Sequence, residues 1–170
     1  MTSVANGSDI AQSVEAKLPG SILAYDKDIV WVKPEFILPV CKIMKDPEGL
    51  DFSFLTALTA VDFIDHFEII YHLTSMRRNS KCVLKCACHG RENPTIASVT
   101  EIWRGADLQE REIWDLYGIK FNGHPNLRRI LLYEGFKGHP LRKDYPRLGR
   151  KERSDFPVIK RPFKKEKRTD

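Results

Sequence analysis

The sequence has no long hydrophobic run. Its longest uncharged apolar stretch, FSFLTALTAV, lies between Asp51 and Asp62 and reaches about half of the roughly 20 residues that a membrane-spanning helix needs. No segment is therefore expected to cross a bilayer. Cysteine is scarce: Cys41, Cys82, Cys86 and Cys88 are too few and too clustered for a secreted disulfide framework in a chain of 170 residues, and reduced thiols are expected. Glycine never falls into the GxxxxGK[ST] or GxGxxG spacing that presents backbone donors to phosphates, so nucleotide binding by this chain alone is not expected. His66, His72, His124 and His139 are scattered, with no recognisable nucleophile–His–acid order around them. The first residues, MTSVANGSDIAQSVEAKLPG, lack the basic start and apolar core of a secretory signal and the arginines of a mitochondrial presequence. The expected setting is a bacterial cytoplasm.

What is present is distributed unevenly. The formal net charge is +5, but the stretch from Lys137 to Asp170 carries 13 Lys and Arg against 5 Asp and Glu, leaving 15 against 18 for the rest. A mildly acidic body is followed by a strongly basic tail. The hydrophobic content of 42% suffices for one domain with a real core.

Ile10, Val14 and Leu18 recur every four residues after Ser8-Asp9 and before Pro19-Gly20, predicting a first amphipathic helix. Two short apolar stretches, residues 21–25 and 29–33, flank Asp26-Lys27-Asp28 as a hairpin. A second helix opens at Lys33-Pro34-Glu35 and runs to about Lys45, with Pro39 displacing or kinking its start. Residues 54–64, 67–74 and 81–89 read as three strands of an antiparallel meander. Beyond Gly90 the strand pattern ends; residues 98–103 and 106–117 read as helical, with Gly118 at the C′ position. From Phe121 onward Gly, His, Pro and Arg recur with little periodicity.

Each candidate site has a bland competitor. Cys82, Cys86 and Cys88 beside His89 invite a metal or redox reading, but a strand places all three with Leu84 on one face, which reads as core. On the 106–117 helix, Arg111 and Asp115 lie one turn apart, where they can pair, while Ile113, Leu116 and Tyr117 form an apolar face flanked by Glu110 and Glu112. These carboxylates near Arg128-Arg129 read as an ion-pair network fixing a loop or partner, rather than as catalytic acids. Gly123-His124-Pro125-Asn126-Leu127-Arg128-Arg129 returns, shortened, as Gly138-His139-Pro140-Leu141-Arg142-Lys143. Proline extends each preceding histidine and glycine permits a sharp turn, so rigid loops thrusting out arginines are expected. The basic tail could bind nucleic acid or an anionic surface. Its interleaved Phe156-Pro157, Val158-Ile159 and Pro162-Phe163 fit better an arm laid along another protein.

The run EREIWDLYGIKFNGHPNLRRIL from Glu110, then GHPLRKDYP from Gly138, resembles the signature of the complex I thirty-kilodalton subunit family of NADH-quinone oxidoreductases, the NuoC type in bacteria and the NdhJ type in photosynthetic relatives. Phe54-Leu55-Thr56, Ala60-Val61-Asp62, Tyr71-His72-Leu73 and Ser98-Val99-Thr100 extend the likeness to roughly residues 50–146. Leu108 stands where that family usually has Trp. The resemblance implies an α+β fold: a two-layer domain with a mixed, largely antiparallel sheet and helices on one side, over residues 1–120. Docking loops at 121–146 and an extended basic C-terminal arm at 147–170 follow.

It also implies a non-catalytic subunit of the peripheral arm of a proton-translocating NAD(P)H:quinone oxidoreductase. Such a chain holds no cofactor or metal; iron–sulfur clusters and FMN belong to neighbouring subunits. Its implied partner is the large quinone-site subunit, on the cytoplasmic side of the bacterial inner membrane, with no nucleic acid and with membrane contact only through the complex. The equivalent subunit of a membrane-bound hydrogenase, or of a complex with another donor, is the alternative. The expected docking residues are Glu110, Arg111, Glu112, Asp115, His124, Arg128, Arg129, His139, Arg142, Lys143 and Asp144.

Overall fold

The computed structural model of the protein describes residues 3–150, so the expected basic arm lies outside the described residues from position 151 onward. Helix α1 (Gly7–Lys17) begins slightly earlier than expected. The side chain of Asn6, rather than Ser8-Asp9, caps it by accepting the Ser8 N–H. Strands β2 (Ile22–Asp26) and β3 (Ile29–Val32) form the expected hairpin. A 3₁₀ turn at Pro34–Phe36 leads into α2 (Ile37–Lys45). Pro39 is the third residue of α2, where a backbone N–H has no intrahelical acceptor, so the helix runs past it unbroken.

Strands β4 (Phe54–Asp62), β5 (Phe67–Ser75) and β6 (Ser80–Cys88) make the expected antiparallel meander. The sheet runs β2-β3-β6-β5-β4, with β3 parallel to β6 and the short β1 (Ser3–Val4) also parallel to the start of β6. It is mixed and largely antiparallel, and its helices lie on one side. Alternation decides which side is buried: Phe67, Ile69, Tyr71 and Leu73 on β5, and Cys82, Leu84, Cys86 and Cys88 on β6, all point into the core. A bulge between Leu55 and Ala57 lets Leu55 and Leu58 face the same way, and Ala60 and Asp62 follow on that face.

Two expectations past Gly90 fail. Residues 98–103 form a turn instead of a helix, with the N–H groups of Ile102 and Trp103 both bonded to the Val99 carbonyl. The strand pattern also continues: β7 (Thr95–Ala97) and β8 (Lys120–Asn122) pair in parallel across α3 (Ala106–Tyr117). They put Ile96 opposite Phe121, and both are buried. Three-residue strands are too short to show a period in sequence. Helix α3 itself ends as expected, with Gly118 at φ 75 donating its N–H to the Trp114 carbonyl.

Candidate functional site

Helix α3 lies under a long stretch without regular structure, residues 123–150. That stretch is nevertheless tied to the helix and to itself by many hydrogen bonds. Its organising centre is Asp115, completely buried. Its Oδ2 accepts three consecutive backbone N–H groups, from Ile130, Leu131 and Leu132, at 3.1, 2.9 and 2.9 Å, and its Oδ1 accepts from the Arg129 guanidinium at 2.6 Å. Successive N–H groups converging on one oxygen form an anion nest, here filled by the chain's own carboxylate. Burial opposes the ionisation of Asp115. The three N–H groups and Arg129 outweigh it and hold the carboxyl below its ordinary range.

Arg111 does not pair with Asp115, although helical spacing allowed it. Its guanidinium donates to the carbonyls of Arg128 and Arg129, both at 3.1 Å. Arg129 turns inward as well, donating to the carbonyls of Phe136 and Gly138 and lying over the rings of Trp114 and Phe136.

The second Gly-His-Pro loop caps α3. The last carbonyls of a helix lack intrahelical donors, and here each finds one: Asp115 O takes His139 Nδ1–H at 3.0 Å, Leu116 O takes the Leu141 N–H at 3.1 Å, and Tyr117 O takes Arg142 Nε–H. The positive guanidinium at this end also suits the helix dipole. Burial lowers the pKa of His139. Closeness explains Gly118 beyond its φ: a Cβ there would sit 2.5 Å from the His139 ring and 2.7 Å from Arg142. The first loop is tied in similarly. His124 accepts the Asn126 N–H on Nδ1 at 3.0 Å, which puts its proton on Nε2, facing the Asp107 carbonyl at 3.1 Å.

A second carboxylate hub was not singled out from the sequence. Asp62, at the end of β4 and buried, receives both terminal nitrogens of Arg91 at 2.8 Å and the Lys143 N–H at 2.8 Å. The Arg91 guanidinium holds its carboxyl far below the usual range. Arg91 also bonds Asp144 at 2.9 Å, and its backbone carbonyl accepts from Arg142. The available signal was the period-2 register of β4, which places an acid among core positions and so demands a partner. Glu110, expected beside the apolar face, is instead fully buried, bonded to Ser98 Oγ at 2.6 Å and the Val99 N–H at 2.7 Å. Burial pushes its carboxyl up to about 7. Those bonds shape the 98–103 turn.

The expected site residues thus separate by direction. Glu110, Asp115 and the His124 ring are buried, Arg111, Arg129, His139 and Arg142 are partly buried in the bonds above, and Glu112, Arg128, Lys143 and Asp144 reach solvent. Around these outward charges lie apolar side chains that the fold leaves uncovered, with Leu131 62% and Leu141 50% exposed and Ile130 and Tyr133 close behind. The four cysteines are buried in the core. Among the described residues no group of three or more His, Cys, Asp or Glu is placed to hold a metal ion, and no helix is long and apolar enough to cross a membrane.

Comparison with known proteins places this geometry. The family described as "Respiratory-chain NADH dehydrogenase, 30 Kd subunit" matches residues 30–151. The chain is 43% identical over 125 residues to the NADH-quinone oxidoreductase C 2 subunit of Rhizobium meliloti (strain 1021), covering 72% of this chain and 68% of that protein. It is 40% identical over 169 residues to the NADH-quinone oxidoreductase C subunit of Roseiflexus sp. (strain RS-1), covering 92% and 96%. In fold it matches a chain from the membrane-bound sulfane sulfur reductase (MBS), an archaeal respiratory membrane complex, with a TM-score of 0.69, 21% identity, and coverage of 83% of this chain and 86% of that one.

Proposed function

The chain belongs to the respiratory-chain NADH dehydrogenase 30 Kd subunit family, and from that premise we propose that it is a non-catalytic structural subunit that docks on the large quinone-site subunit of a complex-I-type NADH:quinone oxidoreductase. In this reading the complex passes electrons to quinone and couples this to proton translocation, while this chain supplies shape. Iron–sulfur clusters and FMN reside in neighbouring subunits. The chain reaches the cytoplasmic face of the membrane only through the complex. The relatives near 40% identity carry the NADH-quinone oxidoreductase name over most of this chain, which favours NADH as donor over the hydrogenase-type alternative.

One observation carries the docking reading. The loops at 123–150 are tied down by internal hydrogen bonds, yet present Ile130, Leu131, Tyr133 and Leu141 to solvent beside Arg128 and Lys143. Exposed apolar side chains rimmed by charge, on a backbone that is already rigid, have the composition of a protein interface and lose little entropy on binding.

The test is assembly. With the tagged chain expressed in its complex, Arg128→Glu with Lys143→Glu should leave the melting temperature of the isolated chain unchanged and reduce the co-purifying large subunit at least tenfold. A complex that assembles normally and loses only turnover overturns the reading.

A further inference from the structure

We propose that the turn between β4 and β5 is a second docking element, a strained apolar knob made by Phe63 and Ile64 that inserts into an apolar pocket on the same partner subunit. This rests on the docking reading above and extends its surface across the Asp62 hub.

The turn spans residues 63–66, closed by a bond from the Phe63 N–H to the His66 carbonyl at 2.9 Å. Such turns favour Gly, Asn or Asp where the backbone goes left-handed. Here that position holds Ile64, at φ 76. For a β-branched residue this conformation is a genuine outlier. It is also held deliberately: the Ile64 N–H donates to Asp62 Oδ1 at 2.7 Å, and the Ile64 carbonyl accepts from Arg91 at 2.9 Å. Both ends of the strained peptide are thus fixed by the same buried ion pair.

Those bonds offset the strain through the backbone alone, and the side chains gain no burial from it. Ile64 is 62% exposed and Phe63 47% exposed. Phe63 is held out by stacking on His66, with ring centroids 5.2 Å apart, and His66 is in turn pinned by Asp65 at 2.8 Å. Four residues therefore cooperate to display two large apolar side chains. The Lys143 N–H binds Asp62 Oδ2, so the knob and the second Gly-His-Pro loop share one carboxylate and stand side by side. The chemistry points to a partner surface with an apolar pocket for Ile64 and Phe63 and a carboxylate for the neighbouring Lys143, whose ammonium has no ion pair within the described residues.

The test uses the tagged chain in its complex, scored by the retained large subunit, together with the melting temperature of the isolated chain. Asn tolerates the left-handed conformation and removes the knob. Ile64→Asn should keep or raise the melting temperature, by about 2 °C, while retained partner falls at least tenfold. Ile64→Leu, still apolar and without the branch, should restore retention. If Ile64→Asn retains partner as wild type while Arg128→Glu with Lys143→Glu loses it, the docking reading stands and the knob is refuted. If neither variant loses partner, the docking reading itself falls. A melting temperature lowered by Ile64→Asn shows that the isoleucine serves the fold, which also overturns the knob.

Discussion

Replacing Asp115 by Asn removes one charge and leaves the shape almost unchanged, and the geometry says what this costs. The carboxylate meets donors on both oxygens: three N–H groups on one and Arg129 on the other. An asparagine has only one acceptor atom, so in either orientation its own NH₂ faces donors. Oxygen toward the nest leaves Arg129 opposed by N–H; oxygen toward Arg129 leaves three backbone N–H groups unpaired. Breaking a buried, hydrogen-bonded ion pair by removing one partner costs about 3–5 kcal/mol. Asn keeps part of the bonding, so about 3 kcal/mol is expected. With a urea slope of about 2 kcal/mol per molar, the midpoint should drop by about 1.5 M. Hydrogen exchange at Ile130, Leu131 and Leu132 should accelerate about a hundredfold, the factor equivalent to that energy. A midpoint within about 0.3 M of wild type, or amides at 130–132 that already exchange freely in the wild-type chain, would refute the claim that Asp115 organises the loops.

Glu110 has a raised folded pKa, so its contribution is complete at low pH and declines as pH rises from about 4.5 to about 7; urea midpoints should fall across that window, and Glu110→Gln, which mimics the neutral acid toward Ser98 and Val99, should flatten the profile. Asp115 and Asp62 have lowered folded pKa values, so their stabilisation is present above the ordinary carboxylate range and is lost only as pH falls below about 4, seen as acid unfolding that Asp115→Asn blunts. Gly118→Ala meets both a positive φ and the His139 ring, and should cost about 3 kcal/mol by urea unfolding. Burial pushes the Cys86 thiol up to about 12 and raises Cys82 and Cys41 too; alkylation followed by mass spectrometry should find them unmodified in the native chain and all labelled in urea, and rapid native labelling would contradict the core placement.

The meander and α3 were legible because their signals are local. Period-2 alternation alone puts Cys82, Leu84, Cys86 and Cys88 on one face, and Gly118 marks the end of α3. What sequence spacing missed was set by distant partners. Arg111 and Asp115 satisfy the rule for a helical ion pair, but Asp115 has better partners 14–17 residues away, and Arg111 is taken by two loop carbonyls. Residues 98–103 carry a helix-like pattern, yet Glu110 takes the Ser98 hydroxyl and the Val99 N–H and holds them in a turn. The loop arginines look alike in sequence, and only their partners distinguish Arg129 and Arg142, bonded within the fold, from exposed Arg128. Charge density along the signature therefore overstates the surface available to a partner.

Glu110 and Asp115 sit on one helix, both at 0% exposure, and their acidities move in opposite directions. Burial acts on both in the same sense, raising the pKa, so the difference lies in what faces them. Glu110 receives one hydroxyl and one backbone N–H, with no cation, and Asp107 adds a like charge. Asp115 receives three N–H groups and a guanidinium. Two neutral donors do not offset the loss of water around a charge, whereas three with a cation do. The first half of α3 therefore gains or loses a proton near neutrality, while its second half stays ionised far below that range. Because the loops at 123–150 hang on Asp115 and on the last carbonyls of α3, and not on Glu110, their anchoring is expected to persist while Glu110 titrates.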